Sequence, residues 1–102
     1  MTLIGLDVLT AAGRKNAPLR KWLAAWAGTV NEAEWNSLED VRKSYPSADG
    51  VALASGTIVT VFNAKGNEYR FLTWIDYRAA VVEALEILTD AEYDKELWKT
   101  RY

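Results

Sequence analysis

The chain has 102 residues, half of them apolar or aromatic and a quarter charged, with no cysteine, no histidine and a formal net charge of −2. That balance predicts one globular domain, residues 1–102, with a small core, and excludes a disordered chain. The missing residue types exclude disulfides, thiolate nucleophiles and imidazole acid–base chemistry, and the net charge offers nucleic acid no global attraction.

Thr2 to Leu6 predicts a short strand. It has neither the basic start nor the apolar run of a signal peptide, and no stretch reaches the roughly 18 apolar residues that span a bilayer, so a cytoplasmic protein without membrane contact is expected. Asp7 is placed to cap a helix running to about Lys15. Asn16 and Pro18 punctuate the chain, and Leu19, Trp22, Leu23, Trp26 and Val30 then recur at three- and four-residue spacing. This is one apolar face of an amphipathic helix, with proline in its first turn. Ser37-Leu38-Glu39-Asp40 predicts a short third helix, with Ser37 as its cap and the acids favoured by the helix dipole. Tyr45-Pro46 ends it, because the residue before proline is pushed out of the α region.

The period then changes. Val51 to Ala54, Thr57 to Ala64 and Glu68 to Asp76 read as antiparallel strands, with turns at Gly56 and Gly66-Asn67. Ala79 to Leu88 mixes signals: Val81-Val82 favours strand, whereas Ala84, Leu85 and the glutamates favour helix. It is assigned to a strand because residues 68–76 otherwise lack a hairpin partner. Thr89-x-x-Glu92 is a capping-box pattern, so a last helix should start near Asp90 and run towards Trp98. Helices followed by a meander of strands indicate an α+β fold.

Without histidine or cysteine, proton transfer falls to Asp, Glu, Lys, Tyr or water. Lys65-Gly66-Asn67 sits at a turn, where Lys65 is either a solvated hairpin lysine or a point charge for a phosphate. Tyr69 and Arg70 are neighbours on a strand, so one points inward and the other outward, and Tyr69 suits the core. A guanidinium there either pairs with a carboxylate or faces an anion. Tyr93, Asp94 and Lys95 fall in the first turns of the last helix. The acids there can be dipole partners alone, while Tyr93 can also stack on a base. Trp74 shares the strand face of Arg70, four residues on, as a packing residue or as a stacking partner. Trp98 and Tyr102 suggest a docked C-terminus or a surface for a partner. No phosphate-binding loop, dinucleotide fingerprint or metal-ligand spacing is present, and no cofactor or metal is expected.

Five segments taken in order carry a resemblance: Tyr45-Pro46-Ser47-Ala48-Asp49, Val61 to Asn67, Tyr69-Arg70, Ile75-Asp76-Tyr77, and Thr89 to Lys95. Together they resemble the HigB-type toxins of the RelE-like group, from the N-terminal strand to about Lys95. The resemblance implies N-terminal helices packed on a twisted antiparallel sheet with a short C-terminal helix. It implies an mRNA endonuclease acting on translating ribosomes, without a metal, by attack of the 2′-OH on the adjacent phosphate. It implies neutralisation by a HigA-like helix-turn-helix antitoxin, with DNA contacted only through that complex. On the matching positions, Lys65 and Arg70 would act on the phosphate, with Tyr93 on the base or leaving group and Asp94 orienting a neighbour. Asn63, Asn67, Trp74 and Lys95 would contact RNA or shape the loop. The chain departs from the pattern where members commonly carry Thr-His and it has Thr89-Asp90, and where basic residues are replaced by Trp74 and Leu85. These departures leave a second reading, an attenuated or inactive homologue that binds an antitoxin or the ribosome without cutting RNA.

Overall fold

The computed structural model describes residues 1–102. The chain runs β1 (Thr2–Ile4), α1 (Leu6–Gly13), α2 (Ala17–Glu32), α3 (Leu38–Ser44), β2 (Asp49–Ala52), β3 (Ile58–Ala64), β4 (Tyr69–Asp76), β5 (Val81–Thr89) and α4 (Asp90–Asp94), and closes on a 3₁₀ turn at Leu97–Thr100. The α+β expectation holds, and residues 81–89 form the expected strand. The sheet order is β1-β5-β4-β3-β2. Strands β2 to β5 form an antiparallel meander, but β1 pairs parallel to β5, Leu3 opposite Val82. The sheet is therefore mixed, not purely antiparallel. No helix is long and apolar enough to cross a membrane.

Local chemistry explains most element ends and corrects three of them. The first helix is not capped by Asp7. Its N-cap is Gly5 at φ 82, Asp7 lies in the first turn, and the helix stops at Gly13. A side chain at Gly5 is doubly excluded, by that φ and because its Cβ would stand 2.6 Å from the Ala84 carbonyl oxygen. At α2, the Asn16 Oδ1 accepts from the Leu19 N–H at 3.0 Å, and Pro18 occupies the first turn. Ser37 precedes α3 but makes no side-chain cap. Asp40 Oδ2 instead accepts from the Asn36 N–H at 2.8 Å, which holds its carboxyl below the usual range. At α4 the capping box forms in full: Thr89 Oγ1 accepts from the Glu92 N–H, and Glu92 Oε1 accepts from the Thr89 N–H. The last helix does not run to Trp98. Glu96 takes φ 60, breaks the path, and redirects the chain into the 3₁₀ turn.

The sheet is covered on both faces. On one, Leu19, Leu23, Trp26 and Val30 of α2 pack with Phe62, Phe71 and Val82. The Trp26 ring lies 4.4 Å from that of Phe71 and 5.5 Å from that of Phe62, and its indole N–H has no hydrogen-bond partner. On the other face, Val59, Val61, Leu72 and Leu88 are covered by Leu53 and by Trp98 from the 3₁₀ turn. Alternation along β3 and β4 produces this division, with Val61 and Leu72 towards the tail and Phe62 and Phe71 towards the helices. A register shift inserts Leu85 between the pairs Leu72–Glu86 and Thr73–Ala84. This bulge leaves Leu85 packed on the tail face and Glu86 bonded to the tail's Arg101 and Tyr102.

Candidate functional site

The tail-covered face ends at the β3–β4 turn, and there most of the singled-out residues meet. Asn63 of β3 pairs with Arg70 of β4, and Arg70 with Leu88 of β5. Directly opposite residues share a face, so the Asn63 amide and the Arg70 guanidinium stand side by side. Tyr69 pairs with Thr89, the last residue of β5, so the capping box turns the chain over Arg70 immediately afterwards. That turn places Asp90 Oδ1 3.0 Å from Arg70 Nη2. Arg70 Nη1 donates to the Asn67 carbonyl at 3.0 Å and to the Tyr69 carbonyl at 3.2 Å. Its guanidinium carbon lies 6.0 Å from the centre of the Tyr93 ring. Of the two readings open for Arg70, the pairing with a carboxylate is the one the fold displays, on a face still open to solvent at Asp90.

The turn itself is built from two residues at positive φ, Lys65 at 50° and Gly66 at 67°. A lysine in this region costs about 1–2 kcal/mol relative to the right-handed helix. Asn63 Nδ2 donates to Asn67 Oδ1 at 3.2 Å and ties the turn to its own strand. Lys65 Nζ lies 3.1 Å from Glu68 Oε2, in a pair exposed enough to be worth at most about 1 kcal/mol.

Tyr93 stands on a platform. Its ring stacks on Trp98 at 5.3 Å and 16°, and the Trp98 indole N–H donates to the Tyr93 carbonyl at 3.2 Å. Burial raises the phenol above its ordinary range, and the Asp49 and Asp94 carboxylates add to that, against Lys99 and Arg70. The phenol is therefore protonated at neutral pH and can donate a hydrogen bond.

Tyr69 points the other way, as expected, packing against the helix-covered core and accepting at its hydroxyl from Asn16 Nδ2 at 2.8 Å. Asp94 is exposed and makes no side-chain hydrogen bond or ion pair. Lys95 is also exposed, sharing a shallow depression of about 150 Å³ with Glu92 and Arg101. Trp74 is on the face of Arg70 but not beside it. Four residues of strand separate them by about 13 Å, with buried Leu72 between. Trp74 instead lines a depression with Thr57, Glu83 and Tyr102. The structure thus brings together Asn63, Asn67, Arg70 and Tyr93, with Lys65 at the adjoining turn, and leaves Trp74 and Lys95 outside.

Three contributors were not foreseen: Asp90 as the partner of Arg70, Glu68 as the partner of Lys65, and Trp98 beneath Tyr93. Glu68 had a readable signal, three residues from Lys65 across a turn. Trp98 had none, because five residues along a continuous helix do not stack, and only the break at Glu96 brings the two rings face to face.

Among known families, the model described as HigB_toxin, the RelE-like toxic component of a toxin–antitoxin system, matches residues 19–96. No curated protein matches the chain.

Proposed function

The chain belongs to the HigB family of RelE-like toxins, the toxic components of toxin–antitoxin systems, and from that premise we propose that it cleaves mRNA on the translating ribosome. The observation that carries this reading is the convergence of the partly buried Asn63, Arg70 and Tyr93 on one face of the sheet beside the Lys65 turn. In this reading the whole chain, residues 1–102, is one RelE-like domain working in the cytoplasm. The RNA 2′-OH attacks the adjacent phosphate as its proton passes to water, and the P–O5′ bond breaks, leaving a 2′,3′-cyclic phosphate and a 5′-OH end. Arg70 and Lys65 stabilise the charge that develops on the phosphorane oxygens, where fixed cations act most strongly. Tyr93, protonated and held on Trp98, donates to the leaving 5′-oxygen or stacks on a base. Asn63 and Asn67 hold the turn against the backbone of the message, and Asp94, at the end of α4 and without a side-chain partner in the chain, would orient the substrate. Trp74 and Lys95, set apart from this cluster, would touch flanking nucleotides. A HigA-like helix-turn-helix antitoxin would neutralise the chain and carry the complex to DNA.

One observation favours the second reading, a binding module with little or no cleavage. Both phosphate-facing cations already hold carboxylates, Arg70 with Asp90 and Lys65 with Glu68. RNA must displace these carboxylates or bind against their charge.

Induced expression in a bacterial host, with growth followed and mRNA ends mapped, separates the readings. Growth arrest with new 5′-OH ends inside translated codons supports cleavage. Arg70→Ala should then lower cleavage by about 10²–10³-fold, the usual cost of removing one oxyanion donor, while thermal melting shows the fold intact. Normal growth and intact messages from a folded product support the binding module. Arrest that persists unchanged in both Lys65→Ala and Arg70→Ala would sink the assignment of the site.

A further inference from the structure

The elbow between α1 and α2 concentrates charge that the rest of the chain leaves unmatched. The chain has 12 Lys and Arg, and six of them form ion pairs. Of the other six, four (Arg14, Lys15, Arg20 and Lys21) fall within eight consecutive residues, and all four are exposed. Arg20 is held across the elbow by a 3.2 Å hydrogen bond from Nη1 to the Gly13 carbonyl. The two helices close tightly there, since a Cβ on Gly13 would stand 3.0 Å from that of Arg20.

Beneath these cations runs an apolar groove. A depression of about 410 Å³ lies between the helices, floored by Leu9, Leu23 and Ala27 and ended by Arg14 and Arg20. A second, of about 800 Å³, continues past Ala17, Pro18 and Lys21, and Arg20 and Ala24 line both. At the far end, Leu6 is 57 % exposed and shares the helix face of Leu9 and Gly13 by its three- and seven-residue spacing.

We propose that this groove receives an amphipathic helix with an acidic flank, supplied by the antitoxin that family membership gives the chain. The proposal rests on that membership and not on nuclease activity. An apolar floor, with small residues at Ala17, Ala24 and Ala27, lets a partner helix approach closely and bury its own apolar stripe, the helix-in-groove mode of recognition. The cation rim then selects for Asp and Glu beside that stripe and repels a basic helix. Single-stranded nucleic acid fits less well, because its sites combine cations with aromatic stacking platforms and no aromatic residue lines either depression.

The probe is a fluorescent amphipathic peptide of about five helical turns, Leu and Ala on one face and Glu flanking it, titrated against the full chain by anisotropy. Saturable binding is expected, weakened at least about tenfold in the double variant Arg14→Glu/Arg20→Glu through lost and reversed charge. Ala24→Phe, which fills the groove without changing charge, should weaken it comparably. A peptide with Lys in place of Glu should prefer the double variant to the native chain. The three substituted residues, Arg14, Arg20 and Ala24, are exposed, and thermal melting checks that each variant folds. Absence of peptide binding, or binding indifferent to both variants, overturns the proposal. So does an oligouridylate that binds the native chain and loses affinity in both variants, which would make the elbow a nucleic-acid face. Growth arrest is scored separately: binding without arrest leaves the groove standing and sinks the nuclease, and arrest without binding does the reverse.

Discussion

The two faces of the sheet are covered by different kinds of material. One lies under α2, sixteen residues with a regular apolar stripe, which contributes four members to a thirteen-residue buried cluster. The other lies under an irregular tail whose main anchor is a single indole, Trp98, in a buried cluster of six. The helical face is redundant, so losing one side chain leaves many contacts. The tail face is not, and its anchor also supports Tyr93 and the turn that delivers Asp90 to Arg70. Stability and site geometry are therefore coupled on the tail face and separable on the helical one.

Removing the anchor is the strongest way to break that contrast. Trp98→Ala should cost about 3–5 kcal/mol, the range for deleting a buried aromatic, read as a lower denaturant midpoint. It should also free Tyr93, so its ring signals should lose their ordered environment. Trp26→Phe, on the helical face, keeps most of the volume and removes an indole N–H that has no partner. It should cost less than about 1.5 kcal/mol, as volume-conserving swaps do. A loss in Trp26→Phe as large as that in Trp98→Ala would mean that the helical face depends on the Trp26 indole and not on shared packing.

Asp90→Asn tests the site without touching the core. The pair it breaks joins a half-exposed Asp90 to a largely buried Arg70, which keeps its hydrogen bonds to the Asn67 and Tyr69 carbonyls, so stability should fall by about 1 kcal/mol. Affinity for a short single-stranded RNA should rise up to about tenfold, because the guanidinium loses its competing carboxylate and one negative charge leaves the phosphate path. Unchanged affinity at low salt would show that the Arg70–Asp90 pair does not stand between the chain and RNA.

Much of this contrast could be read before the fold was known, and the helical side more completely. The stripe Leu19, Trp22, Leu23, Trp26 and Val30 repeats a local period, and Asn16 and Pro18 mark its start in neighbouring residues. The capping box at Thr89 and Glu92 is local too. Strand β5 was legible once residues 68–76 needed a partner, although its composition pointed both ways. The unreadable parts are non-local or depend on one backbone dihedral. The parallel pairing of β1 with β5 joins residues nearly eighty positions apart. The Arg70–Asp90 pair depends on the register that sets Tyr69 opposite Thr89. The positive φ at Lys65 and Glu96 falls on residue types that rarely adopt it. Gly66 announced the turn, but nothing announced that Lys65 would share its conformation. Trp74 was placed on the correct face, yet face alone does not give distance along a strand, and buried Leu72 keeps it from Arg70.

Thr89→Ala probes the hinge between sheet and tail. It removes one half of the capping box and should cost about 1 kcal/mol. Glu92, held below its ordinary range mainly by the Thr89 backbone N–H, sets a pH test of the other half. A depressed carboxylate stabilises the fold above its unfolded value, and that contribution is lost as pH falls through the folded value. Acid melts of the native chain should therefore soften below the ordinary glutamate range, and Glu92→Gln should flatten that slope.

The smallest effect at neutral pH lies at Tyr102. Its phenol donates to Glu86 Oε1 at 2.9 Å, and burial with the Glu86 carboxylate pushes its pKa up to about 12 from the ordinary 10.0. Between these values the unfolded chain releases the proton while the folded chain keeps it. The folded state then binds more protons, so stability falls as pH rises through this window. Arg101, bonded to the same glutamate, opposes the shift. Below about pH 10 the contribution is fully present, and Tyr102→Phe removes only the hydrogen bond, a loss of about 1 kcal/mol. In alkaline melts the difference between native chain and variant should shrink and then reverse, because the variant has no proton to lose. A difference that stays constant from neutral pH to about 12 would mean that Tyr102 is not held by Glu86 in solution.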